Sequence, residues 1–409
     1  MNTSSLSVSG TFASFRHRNY RLWFVGQLVS LIGTWMQNTA QGYLLYTITG
    51  SAAYLGYVGF ISGVPSWLFM VYGGLIADRM SRRMLLIITQ SVMMFLAFIL
   101  AGLVFMHWVQ PWHILVLAFL LGVANAFDTP ARQSLVVDLV EREDLTNAIA
   151  FNSTMFNAGL IIGPAIGATV YALTGPGWCF TINGISFIAV IIALLMMRIS
   201  SAPAQARRGS AIEAITEGFR YVRGNRLVLT LTISVFVLNI VGFGPITLLP
   251  AWAVNILKGD VTTNGLLLSA RGIGAVIGGL LIAALASRGG RGKMWAASSI
   301  LMPLAMIAFA LSRNVPFSLF LMGITGFTLV AMMNNSNAMV QAAVPDELRG
   351  RVMGLYSLMF MGGGPLGALL AGLLADRTSE PFTFYLCAGG TLIFAAIIWF
   401  FRPEVRAME

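Results

Sequence analysis

Apolar residues along this chain of 409 fall into blocks too long for a soluble core, separated by short polar interruptions. About 20 apolar residues wound as a helix cross the hydrocarbon of a bilayer. The pattern predicts twelve such helices, over 20–48, 53–77, 84–108, 112–135, 147–174, 178–199, 227–255, 262–287, 293–312, 316–340, 352–376 and 381–402. Only one long polar stretch breaks the series: it contains Ser200, Ser201, Pro203, a basic run and an amphipathic segment over Ala211–Tyr221. It lies near the midpoint, so the expected organisation is a six-helix bundle over 1–199, a cytoplasmic linker over 200–226 and a second six-helix bundle over 227–409. The fold class is an all-α membrane protein.

Weak internal matches follow the same division. Ala-Asp-Arg-Met-Ser-Arg at 77–82 faces Ala-Ser-Arg-Gly-Gly-Arg at 286–291, Gly163-Pro164 faces Gly364-Pro365, and Cys179 faces Cys387, at offsets of 209, 201 and 208. Nearly constant offsets imply two parallel repeats, an arrangement that places a substrate site between the halves near the bilayer midplane.

Composition and charge sharpen this picture. The chain is 57% hydrophobic and 10% charged, against roughly a quarter charged in a soluble domain. A net charge of +10 in a soluble protein suggests a nucleic-acid partner, but position decides otherwise. On the predicted spans, 21 of the 25 basic residues fall on one face, and only Lys258, Arg313 and Arg377 fall on the other. By the positive-inside rule the rich face is cytoplasmic, which puts both termini inside the cell membrane. The first twenty residues hold no cleavable apolar region. Cys179 and Cys387 imply no disulfide framework, and His107 and His113, beside Trp108 and Trp112, read as an interfacial anchor and not as a metal site. No cofactor is implied.

The connection between spans 2 and 3, Gly74-Leu-Ile-Ala-Asp78-Arg79-Met-Ser-Arg82-Arg83, resembles the G-x-x-x-D-R-x-G-R-R loop of the major facilitator superfamily. More narrowly, Gly33-Thr-Trp-Met-Gln-Asn, Asp128-Thr-Pro-Ala-Arg-Gln and Val344-Pro-Asp-Glu-Leu-Arg-Gly-Arg-Val-Met-Gly resemble the branch that contains enterobactin exporters and macrolide-efflux proteins, the transmembrane secretion effectors. A carboxylate at Asp78 can accept from free backbone N–H groups at a helix start, where the dipole is positive. The resemblance nominates span 11 as that helix, and the contact as the cytoplasmic gate. Arg82 and Asp128, read at the same depth, are expected to pair as a charge-assisted latch. The alternative is that Arg79, Arg82 and Arg83 only set topology. Ser81 stands where the resembling loop has glycine, so a turn that needs positive φ there would be strained. Ser287 and Asn334 stand where a second Asp78 and Asp128 would, so the ionic gate is expected in the first half only.

Gly159, Gly163, Pro164 and Gly167 in span 5 place glycines at i, i+4 and i+8, one face of a helix that another can approach closely. The run resembles the G-x-x-x-G-P-x-x-G-G motif of exporters in the superfamily, with Ala168 in place of its last glycine; close packing alone is the other reading. In span 1, Gln27, Ser30, Thr34, Asn38 and Gln41 recur every three or four residues, a polar stripe that faces either a cavity or neighbouring helices. Asn152, Asn157, Asn183, Asn239 and Tyr356 extend the candidate lining. Arg271, about nine residues into span 8 and thus roughly 14 Å deep, is a mid-membrane cation with no acidic residue at its depth. Carbonyls and water, or an anionic substrate group, would have to hold it.

The expected function is a secondary transporter that exports a small amphipathic compound, drug-like or siderophore-like, by alternating access, with protons as the expected driving ion and the monomer as the working unit. An importer or a lipid flippase of the same fold is the alternative. A membrane-embedded enzyme would need a catalytic constellation at one depth, and the sequence offers none. No G-x-x-x-x-G-K loop is present to couple ATP directly. On the predicted spans no acidic residue reaches mid-depth, which leaves Asp128 and Asp376 as poor candidates for a proton acceptor.

Overall fold

In a computed structural model of the chain, the apolar blocks are helices. The structure describes residues 12–198, 211–285 and 289–408, with side chains at all of these except 70, 71, 73–75, 77–79 and 211–215. The first six long helices are α1 (Arg18–Thr49), α2 (Ala52–Arg79), α3 (Arg82–Phe105), α4 (Pro111–Leu139), α5 (Leu145–Thr174) and α6 (Pro176–Met196). After an amphipathic helix, α7 (Ala211–Gly224), come α8 (Arg226–Leu238), α9 (Leu249–Asn255), α10 (Val261–Leu285), α11 (Arg291–Leu311), α12 (Val315–Ala343), α13 (Asp346–Arg377), α14 (Glu380–Phe401) and the short α15 (Pro403–Ala407).

Eleven segments among the described residues are long and apolar enough to cross a membrane, with Arg226–Asn255 counted as one. α1 has 32 residues, ample for a span. Its polar stripe leaves it less apolar than the other eleven.

Two expectations need correction. The seventh span is not one regular helix: α8 gives way to a π turn over Asn239–Phe243 and a 3-10 turn over Gly244–Leu248 before α9 begins. Gly242 and Gly244 resist helix, and Pro245 brings no N–H to the ladder. The fourth span ends at Leu139 and not at 135, which moves Asp128 and Arg132 from its cytoplasmic end into its interior. The turn at Ser81 does not need positive φ: its φ is −58°, and its hydroxyl accepts from Met84 N–H as the cap of α3.

Contacts divide the chain into two compact units, Met1–Ala40 with Leu68–Arg207, and Gln41–Trp67 with Arg208–Glu409. The first is centred on Tyr20, Trp23, Leu86, Leu135, Val190 and Leu194, all buried. In the second, Trp252 stacks on Phe309 with ring centroids 4.6 Å apart, and Phe384 closes on both. The outward faces are apolar too, with Phe95, Leu173, Phe320 and Phe400 exposed, the pattern of helices solvated by lipid. Helices approach through glycine: a Cβ on Gly278 of α10 would stand 2.6 Å from Phe327 O of α12. α7 docks on the second turn of α13, where Glu217 and Arg351 pair at 2.5 Å.

Candidate functional site

The polar stripe of α1 builds a cavity in the first unit. Gln27, Ser30, Thr34 and Asn38 line it, and the opposite wall comes from Gln90 of α3, Asn125, Asp128 and Arg132 of α4, Phe156 of α5 and Asn183 of α6. Its volume is about 220 Å³. Four helices supply polar groups: α1 and α4 turn a polar residue toward the site on successive turns, and α3 and α6 add one each, Gln90 and Asn183. Asn183 Nδ2 donates to Gln37 Oε1 at 2.8 Å, which fixes α6 to α1. Gln27 Oε1 and Gln90 Oε1 are buried without a hydrogen-bond partner among the described residues. Buried acceptors in a polar cavity are the groups a bound hydroxyl or amine would satisfy.

Asp128 is the chemically distinct member. It is fully buried, 11 residues before the end of α4 and so about 16 Å from it along the axis. Its Oδ1 accepts from Thr89 Oγ1 and Gln90 Nε2, both at 2.9 Å. Arg132 Nη2 stands 3.1 Å from its Oδ2, one helical turn on. That contact is ionic without hydrogen-bond alignment, since Oδ2 has no hydrogen-bond partner among the described residues. Pro130 lies between the two and leaves the carbonyl of Ala126 without its helical N–H partner. The result is a carboxylate buried inside a candidate membrane span, hydrogen-bonded and beside a counter-charge, in a polar cavity wall.

This placement corrects the expected Arg82–Asp128 latch. Arg82 instead pairs with Asp138 at 2.6 Å and donates to Ser134 O at 3.1 Å. Asp138 is ten residues further along α4, about 15 Å nearer the helix end, which is where an arginine opening α3 can reach. Arg83 donates to Leu195 O at 2.8 Å, at the negative end of the α6 dipole. Both arginines brace helix ends within the first unit. Of Gly74, Asp78 and Arg79 only the backbone, as part of α2, is described.

The remaining candidates separate into groups. Gly159, Gly163 and Gly167 all face α1: a Cβ on Gly163 would stand 2.9 Å from Ile32 O, and one on Gly167 2.9 Å from Met36 O. Pro164 is buried beside them. Asn152 and Asn157 are half-buried on α5 and are not among the residues lining the cavity, and Gln41 falls in the second unit. In that unit Asn239 and Tyr356 meet at Met333: Asn239 Nδ2 lies 3.8 Å from Met333 Sδ, and the Tyr356 hydroxyl donates to Met333 O at 3.3 Å. Arg271 is buried, with its guanidinium 5.7 Å from the centroid of Phe243 in the π turn. Its Nε has no hydrogen-bond partner, and no carboxylate pairs with it, among the described residues. Gln37, Gln90, Asn125 and Arg132 are cavity residues that the sequence reading did not single out.

The profile of the transmembrane secretion effector family matches residues 9–409. The staphyloferrin A transporter of Staphylococcus aureus (strain NCTC 8325 / PS 47) is 26% identical over 390 residues, covering 94% of this chain and 97% of its own. Macrolide efflux protein A of Streptococcus pyogenes is 24% identical over 407 residues, 97% of this chain and 99% of its own. The enterobactin exporter EntS of Escherichia coli O81 (strain ED1a) is 23% identical over 396 residues, 95% and 93%. In fold, the chain is similar to a bacterial homolog of the human lysosomal transporter Spinster, with TM-score 0.77, 15% identity and 98% of both chains covered. It is likewise similar to the nucleoside transporter NupG, with TM-score 0.76, 15% identity and coverage of 94% and 99%. Helices, charge pattern and the match over nearly the whole length agree: the chain is a membrane transporter and no enzyme, and it belongs to the transmembrane secretion effector family of the major facilitator superfamily.

Proposed function

We propose that the protein exports small amphipathic compounds, drug-like or siderophore-like, across the cytoplasmic membrane by alternating access, driven by protons that return inward. In this reading twelve spans form two six-helix halves, 1–199 and 227–409, joined by the linker 200–226, with both termini cytoplasmic and the monomer as the working unit. Asp78 caps the first turn of α13 when the cytoplasmic face is closed. The names of the efflux and exporter relatives and the Gly159–Gly167 run support the outward direction.

The observation that carries the reading is Asp128. A carboxylate buried in a membrane is costly, and such groups mark ion or proton pathways. Protonation removes the charge that holds Arg132 and changes the cavity wall by one unit. Proton and cargo thereby influence each other's binding, which is what coupling requires. Arg271, with Asn239 and Tyr356, supplies the second polar locus and receives an anionic group of the cargo.

The test is transport in proteoliposomes, with ethidium and a catechol siderophore as probes, with and without an imposed pH gradient. The expected result is gradient-accelerated movement from the cytoplasmic face outward, and an Asp128→Asn variant that binds the probe but does not respond to the gradient. Equal acceleration in Asp128→Asn, or net movement inward, overturns the proposal.

A further inference from the structure

The segment Gly74-Leu-Ile-Ala-Asp78-Arg79 that ends α2 has a near-copy in the chain. α13 ends in Gly372-Leu-Leu-Ala-Asp376-Arg377, identical at five of six positions. The two helices run antiparallel where both lie in the second unit. Gly56 opposes Gly372, Gly59 opposes Ala368, Gly63 opposes Pro365 and Trp67 opposes Gly362, so the register climbs one helix as it descends the other. The approach is close: a Cβ on Gly372 would stand 2.6 Å from Gly56 Cα and 2.8 Å from Ala52 O. At the top of this seam Asp376 Oδ1 accepts from Ser51 Oγ at 2.6 Å and from Ala53 N–H at 3.4 Å. The carboxylate of the copied segment thus caps the first turn of α2, where the helix dipole is positive.

We infer that Gly372–Arg377 is a second latch of the transport cycle, in which Asp376 holds one face of the membrane shut by capping α2. α2 carries the first segment 26 residues further on, about 39 Å away, so the two segments serve opposite faces. A neighbouring contact on the same face closes in parallel. Asn255 Nδ2 donates to Glu380 Oε1 at 2.7 Å and to the Tyr46 hydroxyl at 2.6 Å, and Thr247 Oγ1 donates to Leu55 O at 3.1 Å. Together these tie the end of α1 and the start of α2 to the helices of the second unit. Glycines along the seam let it form without interlocked side chains, so it separates without repacking. The carboxylate cap then becomes the strongest polar contact to break, since hydrogen bonds to a charged acceptor are about twice as strong as neutral ones.

The test uses the full chain in lipid nanodiscs, with Cys179→Ala and Cys387→Ala removing the native thiols and a single reporter cysteine reacting with a water-soluble maleimide. One reporter is Ala53→Cys in the seam. The other is Ala338→Cys, in an open cavity of about 560 Å³ at the far end of α13, shared with Arg291, Asn334 and Arg349. Asp376→Asn is expected to raise labelling at position 53 about fivefold and to lower it at 338, because opening one face closes the other. Ser51→Ala, which leaves the carboxylate in place, is expected to do the same to about half that extent. Unchanged labelling at 53 overturns the inference, and so does a rise at 53 without a fall at 338, which is loosening and not gating. If Asp376→Asn does not fold, Ser51→Ala decides alone. The labelling needs no cargo and no proton gradient, so its outcome stands apart from the export proposal.

Discussion

A single turn of α4 holds the residues with most at stake. Removing Arg132 leaves the Asp128 carboxylate with two hydrogen bonds and no counter-charge. Breaking a fully buried pair costs about 3–5 kcal/mol. Arg132 is a quarter exposed, so Arg132→Gln is expected to cost less, about 2 kcal/mol, in unfolding of the purified protein. Asp128→Asn with Arg132→Gln should recover part of that loss, and additive losses in the double variant would show that the pair is not coupled. Arg271→Gln is expected to weaken binding of anionic compounds about tenfold and leave neutral ones unchanged, as read by ligand quenching of intrinsic fluorescence. Equal losses for both classes would reduce Arg271 to packing. Arg271 was legible in the sequence because it interrupts an apolar block with no balancing acid. The place of Asp128 inside its helix was not, because Thr129, Pro130 and Arg132 beside it look like a helix end. Only the apolar Leu135-Val136-Val137 beyond them shows that the span continues.

At the level of helices, the glycine face of α5 has a physical job whatever its bearing on direction. It lets the helix lie against α1, whose polar stripe must then turn toward the cavity. Gly163→Ala sets a methyl against Ile32 O and Trp35, and overpacking of this kind costs about 1–3 kcal/mol. Gly102 of α3 is the internal control: nothing lies within 4 Å of a Cβ there, so Gly102→Ala should stabilise by about 0.5–1 kcal/mol through helix propensity. The comparison is between unfolding midpoints in one detergent, and a Gly163→Ala protein as stable as Gly102→Ala would mean that α1 and α5 do not press together. Spans were readable because apolar blocks are a long-range signal that a few polar residues do not erase. The break at Asn239–Leu248 was not, since glycine and proline are common in membrane helices, and only packing against Gly363 and Gly367 of α13 decides whether they bend the helix or open it.

For the whole molecule, orientation follows from where the cations sit. Basic residues resist translocation, and with Arg132 inside α4, 20 of 25 fall on the face that the odd spans leave and the even spans enter. A fluorescent protein fused after Glu409 should therefore fold in the cytoplasm, and alkaline phosphatase fused after Gln110, in the connection between α3 and α4, should be active outside. The two reporters are complementary, since each works on one side only. The same experiment assigns the two copied segments to faces. α2 begins at Asp376 and ends at Asp78, so with the termini inside, Asp78 meets the cytoplasm, where low external pH does not reach it, and Asp376 lies at the outer surface. A silent fluorescent fusion at Glu409 together with an inactive phosphatase at Gln110 would invert both assignments, and with them the side on which the Asp376 cap must open to release cargo.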